Sequence, residues 1–92
     1  MKITYDPGKR DRTLIERGLD FERAIDVFDG LTFEIEDTRF KYPERRVLCI
    51  GHLDGRMVMI AYTPRGGIRR IISMRKCNAR EVQRYAPYFE QT

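Results

Sequence analysis

The spacing of apolar and polar residues divides the chain into eight elements. Lys2 to Tyr5 reads as a short strand with Ile3 and Tyr5 on one face. Asp6-Pro7 then opens a helix: an aspartate accepts from free N–H groups, and proline suits the first turn. That helix is expected over Pro7 to Arg17, anchored by Leu14 and Ile15, with Gly18 as a left-handed cap. Asp20 caps a second helix. Its residues Phe21, Ala24, Ile25 and Phe28 recur at helical spacing and form one apolar stripe, while Glu22, Asp26 and Asp29 make the outer face and Asp29-Gly30 the end.

Strands follow. Thr32 to Asp37 alternates Phe33 and Ile35 with Glu34 and Glu36, as a half-buried strand does. Thr38 to Glu44 is a loop carrying Arg39, Lys41, Tyr42 and Pro43. Arg45 to Leu53 is a strand, and Asp54-Gly55 a tight hairpin signal. Arg56 to Thr63 is nearly all apolar, as a central strand is. Pro64 to Gly67 turns the chain into a last strand, Ile68 to Lys76. Strict alternation there puts Ile68, Arg70, Ile72, Met74 and Lys76 on one face and Arg69, Ile71, Ser73 and Arg75 on the other. Asn78 and Glu81 form a capping-box pair for a terminal helix striped by Val82, Tyr85, Ala86 and Phe89, which Pro87 should kink or end at Ala86. The order β-α-α-β-β-β-β-α predicts an α+β domain spanning residues 1–92. It has an N-terminal strand and two helices, an antiparallel four-stranded meander and a C-terminal helix. The helices are expected on one sheet face, with the other partly open and basic.

Charge changes that picture from scaffold to surface. The 92 residues carry 18 Lys and Arg against 14 Asp and Glu, a net charge of +4. The total hides a segregation. Glu16 to Asp37 holds eight acids against Arg17 and Arg23; Arg39 to Arg80 holds eleven bases against Glu44 and Asp54. The stretch Arg56 to Arg80 has seven cations (Arg56, Arg65, Arg69, Arg70, Arg75, Lys76, Arg80) and no acid. A strand hairpin this basic suits a polyanion. Fourteen of the bases are arginine, the better bidentate partner for phosphate. A GC-rich genome produces the same bias, and each arginine taken singly is also what a solvated surface carries.

Other chemistries find little support. The one histidine, His52, has no partner at ligand spacing, so no metal site is expected, and no cofactor motif is present. Cys49 and Cys77 lie far apart, without a CxxC, and Cys49 reads as core. The opening MKITYDPGK has no apolar stretch and no run reaches membrane length, which leads us to expect a soluble cytoplasmic protein. What remains is a set of Arg, Lys and Tyr. Metal-free RNA cleavage runs on such a set, because the 2′-hydroxyl of RNA is its own nucleophile. The protein orients the chain, moves two protons and stabilises the phosphorane. Arginine supplies the charge, and Lys9 or Tyr85 the proton transfer. Tyr85 also fits plain core packing.

These residues match a known pattern over nearly the whole chain. Tyr5-Asp6-Pro7-Gly8-Lys9 comes first. Arg17-Gly18-Leu19-Asp20-Phe21 follows, with Ala24 and Val27-Phe28-Asp29. Arg45-Arg46 opens a strand that reaches Gly51. Ile68 to Lys76, then Arg80, Glu81 and Tyr85, complete the set. In this order they resemble the BrnT toxins, within the RelE-like ribonuclease toxins of bacterial toxin–antitoxin systems. The resemblance implies a small RelE-like fold and a metal-independent endoribonuclease that cuts RNA and blocks translation. It implies a DNA-binding, BrnA-like antitoxin that neutralises the toxin and, with it, represses their operon. It assigns catalysis to Lys9, Arg69, Arg75 and Tyr85, and RNA binding to Arg17, Arg65, Arg70, Lys76 and Arg80. The chain departs from the family pattern at Glu16-Arg17, where relatives often have Lys-His, at Thr13, where Asn is usual, and at Tyr5, where Trp is commoner. Arg17 does not release a proton near neutral pH as a histidine does. The alternative from the residues alone is a non-catalytic module that binds nucleic acid or an antitoxin.

Overall fold

The computed structural model describes residues 1–90. The elements are β1 (Lys2–Tyr5), α1 (Pro7–Arg17), a 3-10 turn (Phe21–Arg23) running into α2 (Ala24–Asp29), β2 (Phe33–Glu36), β3 (Val47–Leu53), β4 (Arg56–Arg65), β5 (Ile68–Lys76) and α3 (Ala79–Phe89). The class is α+β. The sheet has five strands in the order β1-β5-β4-β3-β2, not four. The added strand is β1, which pairs in parallel with β5 from Lys2 against Ile68 to Tyr5 against Ile71.

Both faces of this sheet are covered, a correction to the one-sided arrangement. On the first face Phe21, Ala24 and Val27 pack on Cys49, Val58, Ile60, Ile71 and Met74. On the second, Tyr85 of α3, with Ala86 and Phe89, packs on Ile50, Met57 and Met59. The physical cause lies in β4, where Met57 to Thr63 is buried without a break. A strand whose two sets of side chains are both apolar has no face to give to water. Gly51 marks the closest approach on the first face: a Cβ there would stand 2.6 Å from Val27 Cγ1.

The turns follow local chemistry. Asp54 and Gly55 both take positive φ, 51° and 77°, as a two-residue hairpin of the mirror-image type requires. Asp6 accepts from the Lys9 N–H, and Gly18 closes α1 with its own N–H on the Leu14 carbonyl. Asn78 and Glu81 complete the capping box of α3.

Three further expectations give way. Ile15 is 84 % exposed and anchors nothing. Instead α1 is tied down by Arg10, paired with both oxygens of Asp20 at 2.9 and 2.8 Å, and by Arg17, which donates to the Met74 carbonyl at 3.1 Å. Pro87 does not end α3, which continues to Phe89. The ring forfeits one backbone bond close to the helix terminus, where Tyr88 stacks on Phe33 at 4.1 Å and Phe89 meets His52 at 4.8 Å. Strict alternation in β5 fails as well. Ala61 pairs with Ser73 but Tyr62 with Ile71, so Ile72 is an extra residue, a β-bulge. The bulge returns Met74 to the core face beside Ile71.

Candidate nucleic-acid interface

The bulge decides which cations share a face. Arg70 lies opposite Thr63, Ser73 opposite Ala61 and Arg75 opposite Met59. Those three β4 residues alternate with the core residues Val58, Ile60 and Tyr62, so Arg70, Ser73 and Arg75 all project on the second face. Arg69 and Lys76 project on the first. Arg69 lies over the rings of Phe28 and Tyr62, its guanidinium carbon 4.5 and 4.8 Å from their centroids. Tyr62 in turn donates to Glu34 at 2.5 Å. Arg69 and Arg75, the two arginines assigned to catalysis, are therefore on opposite sides of the sheet. The sequence placed them together because a bulge leaves no mark in the spacing of apolar residues.

On the second face Arg75 is met end-on by Glu81, Nη1 and Nη2 each 2.7 Å from a carboxylate oxygen. Tyr85 follows Glu81 by one helical turn, on the same side of α3. It is buried against Phe33, with ring centroids 5.9 Å apart. The Arg75 guanidinium holds the Glu81 carboxyl down to about 2, helped by the Asn78 N–H. A second cation, Arg39, stands close enough to oppose the charge of Arg75. Its own partner is Asp37, whose side chain has no solvent exposure and accepts from Arg39 Nε and Nη2 at 2.9 Å and from Tyr42 at 3.0 Å. These bonds keep the Asp37 carboxyl well below its ordinary range. Arg46 stacks on Tyr42, 3.9 Å from the ring centroid. By residue pattern alone Arg39 falls in a loop and Arg46 at a strand start. The available signal was Asp37, an acid at the end of an apolar strand, two residues before Arg39 and five before Tyr42.

The remaining expected residues distribute as follows. Lys9, Arg12, Thr13, Glu16 and Arg17 of α1 face Ile72 and Ser73 of β5 across a cleft of about 170 Å³. Here β1 has ended at Tyr5, so no strand covers this side of β5 and α1 lies against it. Ser73 belongs both to this cleft and to the face that carries Arg70 and Arg75. Arg65 is engaged end to side by Glu44 at 2.7 and 3.0 Å. Lys76 lines a different pocket on the first face, with Leu14, Leu19, Leu53 and Arg56. Arg80 is exposed on α3. Among the described residues, Arg70, Lys76 and Arg80 enter no ion pair.

The described residues hold no cluster of three metal-ligating side chains. No helix is long and apolar enough to cross a membrane. Cys49 and Cys77 are buried on opposite faces as free thiols, pushed up to about 12 and about 11 by desolvation.

Asp37 and Glu81 make acid stability a direct readout of this face. Both carboxyls are depressed in the folded chain, so their contribution is complete above the unfolded value of about 4. It is lost as pH falls through the folded values, Glu81 giving up its share near pH 2. Thermal melts are expected to drop steeply below about pH 4. In an Asp37→Asn, Glu81→Gln double variant the melting temperature at neutral pH is lower and the acid slope flatter. An unchanged slope would mean that neither carboxyl is held as described.

A family model described as "Ribonuclease toxin, BrnT, of type II toxin-antitoxin system" matches residues 5–81. No curated protein matches the chain significantly.

Proposed function

The chain belongs to the BrnT family of ribonuclease toxins of type II toxin–antitoxin systems, and from that premise we propose a metal-independent endoribonuclease acting at the edge of β5. Its RNA lies where the α1 cleft meets the second sheet face. The observation that carries the reading is Ser73, at which Lys9, Arg12 and Arg17 from one side meet the face of Arg70 and Arg75 from the other. A phosphodiester at that junction has cations on two sides. The phosphorane carries more negative charge on its non-bridging oxygens than the ground-state phosphate, so cations on two sides favour it.

In this reading the 2′-hydroxyl attacks its adjacent phosphorus and loses its proton. The 5′ oxygen of the next nucleotide leaves and takes a proton up. The products are a 2′,3′-cyclic phosphate and a 5′-hydroxyl. Arg75 and Arg70 stabilise the charge, Arg17, Arg65 and Arg80 guide the flanking chain, and Lys9 serves the proton transfers, while Tyr85, buried against Phe33, and Lys76, on the first face, stand back from the phosphate. Arg69 acts from the far face by holding Phe28 and Tyr62. Cutting RNA in this way arrests translation. The cognate antitoxin, BrnA-like and DNA-binding, covers the basic face with an acidic or amphipathic segment, and the pair represses its own operon.

End chemistry tests the reaction. The purified toxin is incubated with naked RNA in EDTA, and separately with translating ribosomes, and the new ends are mapped. Cyclic-phosphate and 5′-hydroxyl ends are expected with either substrate, on naked RNA in EDTA. Cleavage that disappears in EDTA and returns with magnesium on naked RNA, or ends carrying a 5′-phosphate, would overturn the metal-free mechanism. Absence of cleavage in both settings would favour the non-catalytic binding module.

A further inference from the structure

We infer that Glu81 is a resident carboxylate that occupies the phosphate-binding fork of Arg75 in the free toxin and is exchanged for an RNA phosphate on binding. This rests on the reading that places RNA at Arg75.

Three observations carry it. The first is geometry. Both terminal nitrogens of Arg75 are taken by the two oxygens of Glu81, the same parallel fork by which arginine grips a phosphate. The fork cannot serve both anions at once. The second is access. The Arg75 side chain is 39 % exposed, so an anion from solvent reaches the guanidinium. The pairing of Arg39 with Asp37 differs: that carboxylate is wholly buried and held also by Tyr42, so the neighbouring cation keeps its partner. The third is where Glu81 goes. Its Oε1 also accepts from the Asn78 N–H at 2.9 Å, as the return arm of the α3 capping box. A Glu81 that releases Arg75 keeps that bond, so the start of α3 stays capped throughout the exchange.

The arrangement gives the toxin a partner-dependent site. Until RNA arrives, the charge of Arg75 is balanced and its guanidinium is held in one orientation. A lone anion competes poorly with a tethered carboxylate, whereas a polyanion already held by other cations delivers its phosphate at high local concentration. Glu81 thereby acts as a positioning residue and as a filter that favours extended RNA over single phosphates.

The test uses binding, with a fluorescent 2′-O-methyl oligoribonucleotide that lacks the nucleophile. Glutamine at position 81 keeps the capping box but removes the charge. Glu81→Gln is expected to tighten binding by about three- to tenfold, the scale of one partly exposed ion pair released. It should also steepen the salt dependence by about one phosphate contact on a single strand. In an Arg75→Ala background the same substitution should change neither. Tightening that persists without Arg75 would reduce Glu81 to bulk charge and overturn the exchange. So would unchanged or weaker binding by Glu81→Gln alongside a clear loss for Arg75→Ala, an outcome that leaves the RNA site itself in place. If Arg75→Ala also binds as wild type, the RNA site is elsewhere and both readings fall. Far-ultraviolet circular dichroism of each variant confirms that α3 is retained.

Discussion

Arg75→Ala is expected to lower RNA cleavage by about a hundred- to a thousandfold, the scale of removing one preorganised donor from a charged transition state. The argument is electrostatic. As the 2′ oxygen bonds to phosphorus, negative charge gathers on the non-bridging oxygens, and a planar guanidinium follows that charge with two hydrogen bonds at once. Arg75 is suited to this because Met59 Sδ lies 3.4 Å from Nη2 and the strand holds its base, so the guanidinium stays in place when Glu81 gives way to the phosphate. The fold survives its removal. The side chain is more than a third exposed, so after solvent screening the ion pair contributes about 1 kcal/mol. Arg75→Lys separates charge from geometry. Lysine keeps the cation but not the fork, so RNA affinity should stay near wild type while cleavage remains at least about tenfold down. The measurement is single-turnover cleavage beside binding of the 2′-O-methyl analogue. Wild-type rates in both variants would remove Arg75 from the site.

Gly51→Ala should be the costliest small change in the scaffold. The new Cβ would meet Val27 Cγ1 at 2.6 Å and Thr32 Cγ2 at 3.2 Å, with the Leu31 carbonyl oxygen at 3.5 Å. Val27 is fully buried and β-branched, with little rotamer freedom to withdraw. Either α2 lifts from the sheet or β3 bends, at about 1–3 kcal/mol for overpacking a dense core. For a chain this size each kcal/mol lowers the melting temperature by about 4–8 °C. Because the strain lies on the first face, cleavage per folded molecule should be unchanged. Adding Val27→Ala removes the clashing methyl. The double variant should therefore be more stable than the two single costs predict, a non-additivity expected only of residues in contact. Strict additivity, or a melting temperature within a degree of wild type, would contradict the close approach of α2 to β3. This steric limit also accounts for the glycine at the end of the Arg45–Gly51 stretch that resembles the family: helix packing sets it, with no part in the chemistry.

Local elements were legible where the deciding forces act within a few residues. The caps Asp6, Gly18 and Asn78–Glu81, the Asp54-Gly55 hairpin and the span of β5 all follow from hydrogen bonds and dihedral preferences that neighbours satisfy among themselves. The unbroken apolar run of β4 marks a central strand, but that α3 covers the face expected to stay open depends on how this helix folds back over the sheet. The capping box was legible too, but its second use was not. That Glu81 reaches Arg75 depends on how α3 folds back over the sheet.

The amino-acid sequence by itself determined the α+β class, the apolar stripes, the basic hairpin and membership of a ribonuclease toxin family, all carried by residue type and order. Only the tertiary structure decided how the cations are grouped. The bulge at Ile72 sends Arg69 to one face and Arg70 and Arg75 to the other, the early end of β1 opens the β5 edge to Lys9 and Arg17, and buried Asp37 fixes Arg39. The physical reason is the range of the interactions. Periodicity records which residues avoid water, whereas a charge acts on whatever the fold brings within a few ångströms, however distant along the chain.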